Sequence, residues 1–473
     1  MRSIRKGFRR VIEVMGGGFC ARLARDLQNI TPSKKGPCLV LGSAPDLVLP
    51  AGFDESWTLL SVNASQASID RRPDCTIMTS AMLGEKQVNL SAQNALRGKS
   101  TGRLFLIERA CSVSAAEEKL RAIGYHYESM ATVGHWQRAK VVLRATGRNM
   151  AAGSGKRKVS NGIFAALWAS HSGACPVVMS GFSFTRDGHA YDRCGYKREH
   201  VSIDKKALEL AGRKGLPLYA ADSNFARESG LPKWPERWTV ACVKWGKKYP
   251  ADYVNRLRRM VARNFTLPHR FVCLTDDASG LDSGIEIVRL DQGLESCWAK
   301  MELFKPGLFG DEDTCLFLDL DVVITGNIND MAVFRPQDRF VGLLDWYRPD
   351  GSQYNSSVMK IRGGGNAELN NSLMAKIRAG KLAWNKEFDK YLQANEKVVL
   401  WEGRRKYKSD QEWISRYVYP SRELAKHAWP AEWVCSYRKH GQGHVPAGCK
   451  VMVFHGFPKP HEVNDAYVRE AWV

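Results

Sequence analysis

The chain has no apolar run approaching the roughly 18 residues that cross a bilayer, which excludes a membrane-spanning helix from its readings. It has no Cys-x-x-Cys pair either. Its 12 cysteines are scattered from Cys20 to Cys449, and no spacing frames a zinc knuckle or a disulfide scaffold, so reduced thiols are expected. The Gly-x-Gly-x-x-Gly fingerprint is absent, which argues against a standard NAD-dependent dehydrogenase. The opening MRSIRKGFRRVIEVM lacks the apolar stretch and small-residue cleavage site of a secretory signal, which leads to a cytoplasmic expectation. No internal repeat is detectable.

Negative charge is in deficit. Lys plus Arg exceeds Asp plus Glu by 70 − 49 = 21. Residues 1–235 hold 35 − 19 = 16 of that excess and residues 236–473 hold 35 − 30 = 5. Such a balance suits nucleic acid, anionic lipid or phosphorylated substrates without choosing among them. At the start, Ile4, Phe8, Val11, Ile12 and Met15 fall on one helical face while Arg2, Arg5, Lys6, Arg9 and Arg10 lie mostly elsewhere. Two readings stay open there: an interfacial helix at the inner face of an anionic membrane, or an ordinary first helix or basic tail.

The remaining composition, 44% hydrophobic and 25% charged over 473 residues, is that of a folded chain with two or three domains. Residues 1–36 form the basic segment. From 37 to 232, short apolar strands (CLVLGSAP, TLLSVNAS, DCTIMTS, RLFLIE, PVVMSGFSF) alternate with helical stretches, and AAGSGKRK reads as a basic loop. GLPKWPERW then breaks the pattern, and residues 233–473 alternate again. The fold class expected is α/β, with two Rossmann-like domains whose ligands gather at the carboxyl ends of strands.

The most informative string is CLFLDLDVVITG. A buried strand runs into Asp319 and Asp321, which share a face on extended chain, so both can meet one hard divalent cation beside a phosphate-bearing ligand. A turn with solvated acids is the commoner reading of an isolated Asp-x-Asp. KVMVFHGFPKPHE, however, places His455 after another apolar strand and Lys459 four residues later. An imidazole can complete a metal shell and a lysine can neutralise a departing diphosphate.

With FVCLTDD, CWAKMELF, YNSSVMKI and KSDQEWI between them, these strings resemble the GT-A glycosyltransferases, especially the family-eight-like group, over about 230 residues from Trp238. The resemblance implies a GT-A domain, a nucleoside diphosphate sugar donor and Mn²⁺ or Mg²⁺ held by Asp319, Asp321 and His455. Lys459 would contact the diphosphate, and Lys300 would approach the donor. Asn355 and Ser356 would face the sugar. Asp410 and Gln411 would lie near the anomeric carbon or the acceptor hydroxyl, and Thr275, Asp276 and Asp277 near base or ribose. The family spaces its histidine and lysine by six residues rather than four, so retention and inversion both stay open. Read as residues alone, Asp410 could equally cap the helix beginning QEWISRYV, Asp276 and Asp277 could cap a turn, and Trp298 and Phe304 have the spacing of core residues.

In the first domain, the turn after CLVL brings Gly42, Ser43 and Ala44 where a phosphate or ribose could approach, and Ser160, Asn161 and Gly162 stand at a helix start. A polar loop carries His189, Tyr191 and His200. This order resembles the sialyltransferase-like family twenty-nine, and more loosely pterin pyrophosphokinase-like domains, across residues 37–222. The resemblance implies a CMP-sugar lined by Ser43, Asn63, Ser160 and Gly162, with His189 on its phosphate and His200 as base. Ser160-Asn161-Gly162 replaces the family's Pro-Ser-Thr-Gly, and Asp204 stands where a glutamate is expected, so a domain that only binds or scaffolds stays open beside a second transferase.

Together these expectations describe a two-domain bacterial glycosyltransferase that moves a sugar onto a surface glycan, lipopolysaccharide or lipid-linked acceptor, without nucleic acid as a partner. The rivals are a basic nucleic-acid-binding protein, which lacks a recognised reading motif here, and a metal-dependent phosphodiesterase, which also uses aspartate pairs.

Overall fold

The structure, a computed structural model, describes residues 36–107, 111–150, 158–192, 198–310, 312–387 and 397–473. The amphipathic stretch near the start and most of the AAGSGKRK loop lie outside the described residues. The chain divides into two compact units, one ending at Trp234 and one beginning at Pro235. Both are α/β. Among the described residues no helix is long and apolar enough to cross a membrane.

The first unit is built on a seven-stranded sheet of β1 (Gly36–Leu41), β2 (Thr58–Val62), β3 (Cys75–Thr79), β4 (Ser100–Ile107), β5 (His126–Thr132), β6 (Ala174–Ser180) and β7 (Leu218–Ala220). Its order is β5-β4-β3-β2-β1-β6-β7, every neighbouring pair parallel. Helices α1 (Gln87–Leu96), α2 (Val113–Ala122), α3 (His135–Thr146), α4 (Asn161–His171), α5 (Val201–Arg213) and α6 (Ser223–Ser229) complete it. Leu39, Val40 and Leu41 are wholly buried because the sheet is covered on both faces, which is why CLVL reads as a continuous apolar run. On one face α3, α4 and α5 pack over Val40, Leu60 and Val177; on the other, α1 and α2 pack over Met78, Leu104 and Leu106. Helix α4 is apolar all round, as a helix buried on every side must be.

Strand order reverses between β1 and β6, and the chain ends of these two strands nearly touch. A Cβ on Gly42 would lie 2.3 Å from the Gly181 carbonyl oxygen, and one on Gly181, whose φ is +70°, would lie 2.6 Å from that of Gly42. Only glycine fits at either place.

The second unit has strands β8 (Trp238–Lys244), β9 (His269–Thr275), β10 (Glu286–Arg289), β11 (Thr314–Leu318), β12 (Val322–Ile324), β13 (Phe340–Leu344) and β14 (Tyr354–Arg362). A hairpin set β15 (Ala383–Glu387), β16 (Lys397–Glu402) and β17 (Arg405–Tyr407) follows, then β18 (Val434–Ser436) and β19 (Val451–Val453). The main sheet, β10-β9-β8-β11-β14-β13, is parallel from β10 to β11, and β14 runs antiparallel to both of its neighbours. Its helices are α7 (Ala251–Asn264), α8 (Asn329–Val333), α9 (Ala367–Arg378), α10 (Asp410–Tyr417) and α11 (Ala466–Ala471). Trp298 and Phe304 lie on a 3-10 helix, Ser296–Phe304, and are core residues with Phe317, Leu369 and Trp413.

β12 does not continue the main sheet. It pairs with β19 in a small sheet of order β12-β19-β18, so the chain changes sheets between Leu318 and Val322.

Candidate active site

That change of sheet places the two acids. The Asp319 N–H still bonds to the Ser357 carbonyl beyond β14 pairing (2.8 Å), whereas the Asp321 carbonyl already accepts from the Phe454 N–H after β19 (2.9 Å). Leu320, 2% exposed, is buried between them, and alternation sends both carboxylates to the other side. They enter a cavity of about 290 Å³ lined also by Lys248, Tyr249, Lys300, Asn355, Ser356, Asp410, Gln411, His455 and Lys459. Residues more than 200 positions apart thus meet at the carboxyl ends of β8 and β11.

Each carboxylate is held by an ammonium. Lys300 Nζ lies 2.7 Å from Asp319 Oδ2 and 3.3 Å from Ser356 Oγ, and 4.0 Å from Asp410 Oδ2. Lys459 Nζ lies 2.5 Å from Asp321 Oδ2 and 3.0 Å from the Phe454 carbonyl, and the Tyr249 hydroxyl donates to the same Asp321 oxygen at 2.8 Å. The two acids therefore diverge in acidity. Burial, with repulsion from Asp321, raises Asp319 despite Lys300. Burial would raise Asp321 as well, but Lys459, Tyr249 and Lys248 outweigh it and hold it below the ordinary range. Burial and then Lys459 lower the Lys248 ammonium.

His455 lines the same cavity, its Nε2 2.6 Å from Ser436 Oγ, and burial followed by Arg438 lowers its pKa. Among the described residues no three His, Cys, Asp or Glu side chains are gathered closely enough to enclose a metal ion. The donor types nonetheless suit a hard divalent cation: carboxylate oxygens and a neutral imidazole on one cavity. The charge inventory points the same way. Asp319, Asp321 and Asp410 stand against Lys248, Lys300 and Lys459, three against three, so a diphosphate entering this cavity brings negative charge that nothing there offsets.

Asp410, the first residue of α10, is 2% exposed, and its Oδ2 has no hydrogen-bond partner among the described residues; nor has Gln411 Oε1. Buried polar atoms rarely stay unpaired, and two on one cavity wall mark a place for a ligand's donors. Asn355 Oδ1 is engaged by the Ser357 N–H at 2.9 Å. Asp276 is not part of this wall: its carboxylate accepts from the Gly246 N–H at 3.0 and 3.1 Å and fixes the turn after β8. Lys248 and Tyr249 are absent from the sequence reading. The signal was present, since WGKKYP directly follows the carboxyl end of a strand.

The first unit has a cavity of about 320 Å³ at its strand reversal, lined by Gly42, Ser43, Asn63, Ser160, Gly162, His189, His200 and Asp204. Several of these residues have structural tasks. Ser160 Oγ caps α4 by accepting from Ile163 N (3.3 Å), and the Ser160 N–H donates to Asp204 Oδ1 (2.8 Å). A Cβ on Gly162 would lie 2.5 Å from Phe182 Cε1. The histidines have more chemical freedom. His189 Nδ1 sits 2.7 Å from Ser43 Oγ, its ring stacks on Tyr191, and burial followed by Arg198 lowers its pKa to about 4. His200 is likewise lowered by burial, and its buried Nδ1 has no hydrogen-bond partner among the described residues. Burial raises Asp204 to about 7 against the Ser160 hydrogen bonds.

No protein-family model matches the chain, and no curated protein matches it. Solved glycosyltransferase structures do. One is the galactosyltransferase LgtC with donor and acceptor sugar analogues, 12% identical, covering 50% of this chain and 91% of LgtC, with a TM-score of 0.28. Another is the α-2,3-sialyltransferase Cst-I from Campylobacter jejuni, 10% identical over 44% of this chain and 82% of that one, TM-score 0.32. The glycosyltransferase GlyE of Streptococcus pneumoniae TIGR4 is 12% identical over 50% of this chain and 60% of its own, TM-score 0.31. Likeness this slight carries no functional argument, which rests on the side chains themselves.

Proposed function

We propose that the second unit is a glycosyltransferase that moves a sugar from a nucleoside diphosphate donor to a hydroxyl of a glycan acceptor. The observation that carries this reading is the pair of buried, unpartnered atoms, Asp410 Oδ2 and Gln411 Oε1, on the wall that also presents Lys300 and Lys459. The same wall thus offers acceptors for sugar hydroxyls beside ammoniums for a diphosphate, Lys300 Nζ standing 4.0 Å from Asp410 Oδ2. In the transfer, the acceptor oxygen bonds to the anomeric carbon, the bond from that carbon to the phosphate oxygen breaks with its electron pair leaving on the diphosphate, and the acceptor hydroxyl's proton passes to that departing oxygen. Lys459 and Lys300 stabilise that growing charge. Asp410 and Gln411 hold the sugar's hydroxyls. Mn²⁺ or Mg²⁺ would be held by Asp319, Asp321 and His455 once these draw closer together than they stand here, and would supply the positive charge that the balanced cavity lacks once a donor is present.

The test is donor turnover by the purified chain over a panel of sugar nucleotides with manganese. Turnover of one diphosphate donor, lost in Asp321→Ala and with a chelator, is the expected result. Undiminished turnover by Asp321→Ala overturns the assignment. Salt-sensitive nucleic-acid binding, or phosphodiester hydrolysis without a sugar donor, would favour the rivals.

The unpartnered His200 Nδ1 supports a second reading, for the first unit. Its cavity would take a nucleotide sugar, a CMP-sugar by the resemblance noted, with the Ser43–His189 pair at the phosphate and His200 receiving the acceptor's proton. An imidazole whose pKa is lowered stays neutral at pH 7 and so can act as base. Turnover of a monophosphate donor that vanishes in His200→Ala while diphosphate turnover persists is the expected outcome. Monophosphate turnover that survives in His200→Ala removes that role.

A further inference from the structure

Next to the second unit's cavity is an aromatic surface that the proposed chemistry does not use. The loop joining β13 to β14 carries Trp346 and Tyr347. Trp346 stacks on the His455 ring (centroids 5.3 Å apart, planes 29°), and Tyr347 meets the same ring edge-on at 5.5 Å. His455 thus lines the cavity and also touches two aromatic rings. Tyr347 is 53% exposed.

The loop is tightly built. Asp345 Oδ1 accepts from the Tyr347 N–H (2.9 Å), Asp350 Oδ1 from the Ser352 N–H and hydroxyl (3.1 and 2.8 Å), and the Asp345 N–H bonds to the Gln353 carbonyl (3.0 Å). A tyrosine ring held out on a fixed loop beside a cavity offers apolar surface that a ligand can cover. A pyranose ring does so well, because its apolar C–H face packs on an aromatic face while its hydroxyls stay wet.

Cations surround this shelf. Lys439 Nζ sits 4.0 Å from the Tyr347 ring centroid and 2.6 Å from the Trp346 carbonyl. Arg438 reaches Gly456, where an added Cβ would lie 3.3 Å from its Nη1. Arg348 is exposed on the loop itself. Among the described residues none of these three lies within salt-bridge distance of an acid; Arg348 acts at longer range on Asp350 of the same loop, whose carboxylate is engaged by Ser352.

Resting on the transferase reading above, we propose that Trp346 and Tyr347 form the acceptor subsite. Its ligand is a glycan whose terminal ring stacks on Tyr347 and carries an acidic group, a carboxylate or a phosphate, facing Lys439, Arg438 and Arg348. The ring's hydroxyl would then point past His455 into the cavity that holds the donor.

The experiment measures binding and turnover separately on the full chain. Three short oligosaccharides are titrated by calorimetry, ending in a uronic acid, in a sugar phosphate or in a neutral sugar. At least one acidic ligand should bind about tenfold or more tightly than the neutral one, losing affinity as salt rises, and the two acidic arms identify which charge is read. Tyr347→Ala should weaken that binding about tenfold while Tyr347→Phe retains it, and Lys439→Ala combined with Arg438→Ala should abolish the preference for acid. In turnover, Tyr347→Ala should raise the acceptor KM with the donor KM changed less than twofold. Equal affinity for neutral and acidic ligands, or unchanged binding by Tyr347→Ala, overturns the proposal. If no donor is turned over at all, the transferase reading fails, and the calorimetric contrast still decides the subsite.

Discussion

Lys459 illustrates how much one side chain is asked to do. Its ammonium holds Asp321 ionised in a buried place and stands where a leaving diphosphate would sit. Lys459→Met should therefore lower kcat for a diphosphate donor by about 10²- to 10³-fold, the usual loss when one preorganised charge is removed, with Lys459→Arg retaining more. Steady-state turnover across the series checks it. Asp410→Asn keeps the shape but leaves one acceptor oxygen where two stood, so kcat/KM should fall about tenfold or more, measured with the same donor. These residues differ in how legible they were. Asp319, Asp321, His455 and Lys459 could be picked out because each follows a buried strand, and that rule transmits through folding. Asp276 obeys the same rule and its carboxylate takes the Gly246 N–H, the turn-capping role left open beside a ligand-facing one, and nothing in TDD tells the two apart. Lys248 and Tyr249 were passed over because a basic turn looks like any solvated loop until Asp321 is known to face it.

Among elements, the join of α4 to α5 carries a pH signature. Asp204 on α5 accepts the Ser160 N–H at the start of α4, and burial raises its pKa from 3.8 to about 7. The unfolded chain releases this proton near pH 4 and the folded chain near 7, so over that window the native state holds more protons and stability falls as pH rises. Asp204→Asn keeps the acceptor oxygen and removes the titration. Its stability relative to wild type should climb by on the order of 2–4 kcal/mol between pH 4 and 7 and level off above, read from urea unfolding followed in the first unit. The strand reversal gives a second check. Gly42→Ala forces a Cβ to 2.3 Å from the Gly181 carbonyl and should cost about 2 kcal/mol or more, whereas Gly230→Ala, with φ of +74° and nothing within 4 Å, should cost about 1 kcal/mol. Thermal melts of the two variants compare them. The glycine in CLVLGSAP was read as a sign of ligand approach; the structure gives it a packing reason as well.

At the scale of the whole chain, each unit has apolar clusters drawn from its own residues, those around α3 to α5 and α1 to α2 in the first and that around Trp298 and Phe317 in the second. Residues 235–473 expressed alone should accordingly fold and turn over the diphosphate donor within a few-fold of the full chain, as kinetics on that fragment would measure. Alternating strands and helices made both α/β units readable. The strand β5 was not, because HYESMAT is largely polar at the sheet's edge and lacks an apolar run. The switch of β12 to a second sheet was also invisible, since pairing partners over 120 residues away leave no local mark. That switch has a consequence for how such a chain can vary. One residue inserted at Leu320 would rotate Asp321 to the opposite face and throw Val322 out of step with Val453 in the same stroke. The segment is thus a fixed-length spacer, free to change in bulk but closed to insertion or deletion, and any descendant that keeps the chemistry inherits its length.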